Sequence, residues 1–261
     1  MADTKTATAN KPIWVDLASS DAAGSRDFYS KVFGWKVEVN PDPQYGGYGM
    51  AKVGNEQVAG IGPKMSAEQP TAWSIYIGTD NADDLAKKVQ AAGGKVVAPP
   101  FDVGDQGRMA TFQDPSGAFI SAWQPGTMSG QFPVGQANTF GWAELNARGV
   151  DKALPFYQKV FGWSVKPNDM GPNNPPYNEF QLGGQSIAGG QEMQPMVPKQ
   201  VPSYWLVYFE VDDVDKSFKN ATAAGARELV APMDFPGGRF AIVTDPQGAS
   251  FGLMKTAPPA K

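Results

Sequence analysis

From Ile13 to Ala18 apolar and polar positions mix with β-branched and aromatic content, which predicts a short strand. Ser19, Ser20 and Asp21 are N-cap types, and Phe28, Val32 and Phe33 recur at helical spacing behind them, so a helix follows. Gly34 stops that helix. Alternation resumes at Trp35–Val39, and a Pro/Gly-rich turn at 40–47 leads to strands over Tyr48–Val53 and Gln57–Ile61, paired about Gly54-Asn55. The order is β-α-β-β-β. It recurs at once: strand Trp73–Ile77, helix Asp80–Ala92 with Leu85 and Val89 inward, a stop at Gly93-Gly94, then strands Lys95–Ala98, Arg108–Phe112 and Ala118–Trp123. The last two strands join across Asp114-Pro115-Ser116-Gly117, where Pro pre-sets φ and Gly accepts a positive φ.

The pattern is then duplicated. WVDLASSDAAGSRDFYSKVFGW, Trp14 to Trp35, returns as WAELNARGVDKALPFYQKVFGW, Trp142 to Trp163, and Asp245-Pro246-Gln247-Gly248 answers the first such turn. The chain therefore reads as four βαβββ modules in two domains, residues 12–124 and 140–255. An aperiodic linker, 125–139, joins them, with a disordered arm at 1–11 and a tail at 256–261. The fold class is α+β. Trp35, Trp163, Phe28, Tyr29, Phe156 and Tyr157 are expected to pack as core.

Composition narrows the chemistry. A net charge of −4 with scattered Lys and Arg argues against nucleic acid. No stretch has the roughly 20 apolar residues of a membrane span. The N-terminus lacks the apolar core of a signal peptide, so a cytoplasmic location is the default, with non-classical release left open. With 0 Cys and 0 His, thiolate catalysis, a Ser-His-Asp triad and His- or Cys-liganded metals are all excluded. Gly46-Gly47 and Gly237-Gly238 lack the spacing of phosphate loops.

The module order, the FY-x-x-VFGW stretch and the DPxG hairpin resemble the vicinal oxygen chelate superfamily, the group of glyoxalases, bleomycin-resistance proteins and extradiol dioxygenases. With WVDL near its start, the chain is similar to an actinobacterial subgroup of glyoxalase- or hydroxylase-like proteins that includes a mycobacterial culture-filtrate antigen. The resemblance implies two tandem glyoxalase-like domains, each an open half-barrel sheet with a cavity. It also implies where metal ligands would stand: Trp14 and Ser74 on first strands and Ser121 near the end of the first domain, then Trp142, Leu206 and Gly252 in the second. A further ligand position falls near Ala59 and Ala188. None of these residues binds a divalent cation well, so no metal cofactor is expected.

Alternation places Asp16 and Glu144 on the same faces as Trp14 and Trp142. Each is a candidate base or ligand anchor, or else a carboxylate paired within the sheet. The two Trp either fill space or offer stacking surfaces, with Tyr76, Trp123 and Tyr208 as neighbours. Arg108 and Arg239 reach an anionic ligand, pair with Asp16 and Glu144, or form structural ion pairs, and Tyr48 and Tyr177 donate a hydroxyl to substrate or pack at an edge. The expected function is metal-independent binding of a small, planar, apolar molecule for sequestration, resistance or sensing, by a monomer or homodimer. The alternatives are a lyase or hydroxylase-like enzyme using Asp16 or Glu144, and a released interaction protein.

Overall fold

The computed structural model describes residues 9–172 and 174–257, so most of the expected arm and tail lies outside the described residues. The first module holds β1 (Pro12–Ser19), α1 (Ala22–Phe33), β2 (Lys36–Val39), β3 (Gly49–Val53) and β4 (Glu56–Pro63). The second holds β5 (Ala72–Gly78), α2 (Ala82–Ala91), β6 (Lys95–Val103), β7 (Gly107–Gln113) and β8 (Phe119–Pro125). The third holds β9 (Thr139–Ala147), α3 (Val150–Phe161), β10 (Ser164–Asn168), β11 (Tyr177–Leu182) and β12 (Gln185–Glu192). The fourth holds β13 (Tyr204–Glu210), α4 (Val214–Ala223), β14 (Arg227–Phe235), β15 (Gly238–Thr244) and β16 (Ser250–Thr256).

These strands make two eight-stranded open sheets, ordered β2-β3-β4-β1-β5-β8-β7-β6 and β10-β11-β12-β9-β13-β16-β15-β14. The α+β class and the four βαβββ modules are as the sequence predicts. The boundaries differ in one instructive place. The strand expected at Lys95–Ala98 runs on through Pro99-Pro100 to Val103. Two prolines are tolerated there because β6 is an edge strand and its register with β7 shifts between Ala98 and Phe101, a bulge that takes both prolines out of the ladder.

Local chemistry sets each helix start. Asp21, Asn81 and Asp213 accept hydrogen bonds from the backbone N–H three residues on, at 3.0, 2.9 and 3.0 Å. The third module has Gly149 at that place, and Glu192 of β12 substitutes, accepting from Gly149 N at 2.9 Å and Val150 N at 2.8 Å. Helices α1 and α3 end on Gly34 and Gly162 at φ 70° and 69°, left-handed values that favour glycine.

The chain forms two compact units. One joins the second and third modules (Met1–Trp14, Ile75–Gln131, Ala143–Trp205); the other joins the first and fourth (Val15–Ser74, Phe132–Trp142, Leu206–Lys261). Each unit is centred on the tyrosine of an FY pair. In the first-and-fourth unit, Trp73 Nε1 donates to Tyr29 Oη at 2.9 Å, and Tyr29 Oη donates to Asp245 Oδ2 at 3.0 Å. In the other, Trp205 Nε1 donates to Tyr157 Oη at 2.8 Å, and Tyr157 donates to Asp114 Oδ2 at 2.7 Å. The second oxygen of each aspartate closes its own DPxG turn, accepting from Ala118 N or Ala249 N. The residues expected as core are core: Tyr29 stacks on Trp35 with centroids 5.7 Å apart, and Tyr157 on Trp163 at 5.5 Å.

The connecting segments are held as well. Trp163 Nε1 donates to Asn10 O at 2.7 Å, and Asn10 N donates to Gly78 O at 2.8 Å. That corrects the expectation of disorder for residues 9–11. Trp35 Nε1 likewise donates to Asn138 O at 2.8 Å in the linker. At the other end, Thr256, expected as tail, is the last residue of β16.

Candidate functional site

Each sheet has one face on its helices and one turned away from them. On β1, Val15 and Leu17 are buried, and by strand alternation Trp14, Asp16 and Ala18 stand on the other face. On β9, Ala143, Leu145 and Ala147 are buried, leaving Trp142, Glu144 and Asn146 opposite. By the same count Ser74, Tyr76, Ser121 and Trp123 share the away face of the second module, and Leu206, Tyr208 and Gly252 that of the fourth. Ten of the twelve expected site residues thus lie on away faces: Trp14, Asp16, Ser74, Tyr76, Ser121, Trp123, Trp142, Glu144, Leu206 and Tyr208.

Arg108 and Arg239 stand on the opposite face, in ion pairs, which is one of the alternatives their sequence positions offered. Arg108 alternates with Ala110 and Phe112, both buried on the helix side, and Arg239 with Ala241 and Val243. Arg108 donates from Nε and Nη2 to Asp83 and from Nη1 to Asp102. Arg239 does the same with Asp215 and Asp234. Hydrogen bonding to these guanidinium groups holds Asp83 and Asp215 below the usual carboxylate range.

In the unit of the first and fourth modules, Tyr208 lies across Gly252, and a Cβ there would fall inside the ring. Tyr208 meets Phe240 edge-on at 6.3 Å, and Phe240 meets Phe235 at 5.7 Å, so an aromatic strip runs outward to the exposed Phe235. In the same unit Tyr48 lies along Gly60 and Gly62 beside Asp16; a Cβ on either glycine would collide with its ring or hydroxyl.

In the other unit, Glu144 Oε1 accepts from Asn146 Nδ2 at 3.2 Å and from Gln191 Nε2 at 2.9 Å. Gln191 Nε2 also donates to Asn146 Oδ1 at 3.1 Å. Burial, then the Glu144 charge, pushes the nearby Tyr204 hydroxyl up from its usual range. On the second module, Ser121 and Thr111 share a 3.1 Å hydrogen bond. Trp123 donates Nε1 to Met128 O and packs its ring over Gly107 and beside Gly130. Asn146 and Gln191 carry no motif that sequence reading would single out.

The implied ligand positions hold Trp14, Ser74, Ser121, Trp142, Leu206 and Gly252, and among the described residues no three carboxylates converge. Nor is any described helix long and apolar enough to cross a membrane.

The glyoxalase/bleomycin resistance protein/dioxygenase superfamily model matches the chain twice, at residues 11–121 and 139–253. The chain belongs to this superfamily. Among curated relatives, "Putative glyoxylase CFP32" of Mycobacterium tuberculosis is 39% identical over 95% of both chains. "Anthracycline biosynthesis protein DnrV" of Streptomyces peucetius is 36% identical over 94% of this chain and 92% of its own. Two solved structures share the superfamily fold. The Mn(II)-bound glyoxalase of Novosphingobium aromaticivorans has 15% identity and a TM-score of 0.64, over 95% of this chain and 82% of its own. The 2,3-dioxygenase LapB of Pseudomonas sp. KL28 has 13% identity and a TM-score of 0.65, over 95% and 94%. Two tandem glyoxalase-like domains are thus the architecture of this superfamily member.

Proposed function

We propose that the chain binds a small, planar organic molecule without a metal, for sequestration, resistance or sensing. One observation carries the reading. Where a metal-dependent superfamily member needs ligands, the fourth-module face and its adjoining strand hold Trp142, Leu206 and Gly252, with the Tyr208 ring laid over that glycine. Ligand sites are mostly apolar and aromatic with a few placed polar groups, and a strip of Tyr208, Phe240 and Phe235 meets that description. Relatives named for anthracycline biosynthesis support a planar fused-ring ligand.

The test combines metal analysis of the purified protein with quenching of its tryptophan fluorescence by planar aromatic compounds. Saturable quenching by a metal-free sample, weakened about tenfold in Trp142→Ala, is the expected result. Stoichiometric metal with chelator-sensitive turnover would overturn the reading. The relative named as a glyoxylase gives one reason to assay lyase activity on an α-ketoaldehyde, in which Asp16 or Glu144 would act as base. Such turnover in metal-free protein, lost in Glu144→Gln, would favour the enzyme.

A further inference from the structure

Both units are built on the same tyrosine–aspartate bond, so that bond does not tell one half of the chain from the other. On a second copy, Tyr29 would meet the same chemistry in Asp114, the turn aspartate of its own half. Another feature must decide that the first module takes the turn of the fourth, and the third that of the second. The residues beside the bond differ between the units and supply the choice.

In the first-and-fourth unit a chain of hydrogen bonds runs from the start of α1 to the turn. Asp21 N donates to Ser19 Oγ at 3.1 Å, Ser19 and Ser25 share a 2.7 Å bond, and Ser25 Oγ donates to Gln247 Oε1 at 3.2 Å. A hydroxyl has a single proton, and Ser25 directs its own at Gln247, so Ser19 is the donor between the two serines. Ser19 and Ser25 are 1% and 0% exposed, which leaves Gln247 as the acceptor on which the chain ends. Gly24 makes the room, since a Cβ there would stand 2.8 Å from Gln247 Nε2.

In the other unit these places are filled differently. Along the repeat, buried Ala147 and Ala153 stand for the two serines, Lys152 for Gly24 and Ser116 for Gln247. Ser116 Oγ is folded back on Asp114 Oδ1 at 2.7 Å, inside its own turn. Pairing a half with its like would therefore fail at both seams. The first module against the turn of the second leaves the Ser25 proton without an acceptor, because Ser116 is shorter than glutamine and already committed. The third module against the turn of the fourth puts Gln247 where Lys152 carries a Cβ. An orphaned buried hydroxyl disfavours a wrong seam by about tenfold or more.

We propose that Ser19, Gly24, Ser25 and Gln247 form a recognition seam that admits the second half of the chain and rejects a second copy of the first half. The fold itself does not require the hydroxyls, since the other unit packs on alanines at the same places. What the buried polar chain contributes is the choice of partner, made by a penalty on the wrong one. It keeps two chains from exchanging halves as they fold. The proposal goes beyond the small-molecule reading and does not depend on it.

Refolding the full chain from urea at rising protein concentration tests it, with the products sized by chromatography and light scattering. The wild-type chain should return almost entirely to one species. A triple variant, Ser19→Ala, Ser25→Ala and Gln247→Ser, makes the two seams read alike. Its share of larger assemblies should exceed the wild-type share by about tenfold and grow with concentration, because wrong pairing needs two chains. Its near-UV circular dichroism and urea midpoint should stay those of the wild type. An unchanged share in the folded variant would overturn the seam. So would a larger share together with a lower urea midpoint, since a loosened fold accounts for both. Should the triple variant not fold, Ser25→Ala carries the test, because it removes the orphaned proton from the wrong seam and should raise the share in the same way. No rise in that variant sinks the proposal.

Discussion

Two buried tyrosines tie distant parts of the sequence together. Tyr29 and Tyr157 each accept from an indole and donate to the aspartate of a DPxG turn in the opposite half of the chain. Burial first, and then the neighbouring carboxylate, raises both hydroxyls well above the ordinary tyrosine value. The consequence for stability has a definite sign. An unfolded tyrosine loses its proton near pH 10, while the folded one keeps it, so the unfolded state is favoured increasingly above that pH. The stability these groups contribute is fully present below about pH 10 and is lost as pH rises toward the folded values, by up to about 1.4 kcal/mol per pH unit per group. Urea unfolding at pH 8 and pH 10.5 should show the fall, and Tyr29→Phe or Tyr157→Phe should make it shallower. The same slope in the Phe variants would mean that these hydroxyls titrate alike in both states.

At the scale of the element, the module order was legible because it rests on local signals: caps, stop glycines, DPxG turns and a period of two. The place of Glu192 was not. Nothing near Gly149 in sequence announces a carboxylate 43 residues away that caps α3. The same blindness hid Asn146 and Gln191, whose meaning comes only from the β9–β12 register. A signal did exist in the repeat, since both depart from its small residues, Ala18 and Gly62. The helix-side direction of Arg108 and Arg239 was readable from their alternation with buried Ala and Phe or Val, had the strand faces been counted outward from the core. Removing the borrowed cap tests the element directly. Glu192→Ala should cost about 1 kcal/mol in urea unfolding, the usual worth of an N-cap, and Asp21→Ala a similar amount. A Glu192→Ala chain as stable as wild type would show that α3 starts well enough on its own.

At the scale of the molecule, the repeat boundary and the compact units do not coincide. Each sheet is drawn from one half of the chain, yet each compact unit takes one module from each half. Tyr29 in the first half needs Asp245 in the second, and Tyr157 in the second needs Asp114 in the first. Phe33 packs on Phe209 and Phe251, with centroids 5.1 and 5.9 Å apart, so the apolar core of that unit is shared in the same way. A fragment cut in the linker would expose these aromatic faces and leave both tyrosines without their carboxylates. Exposed apolar surface of that kind is resolved by association or by loss of fixed packing. Residues 1–131 and 132–261, expressed separately, should therefore each lack the near-UV dichroism of packed aromatics as monomers. Mixing them should restore it, with one copy of each fragment in the complex by light scattering. A monomeric 1–131 fragment that unfolds cooperatively and keeps the aromatic signal would show instead that each sheet with its own helices is sufficient. In that case the tyrosine–aspartate bonds would join two half-chains that are already folded and would not be a condition of their folding.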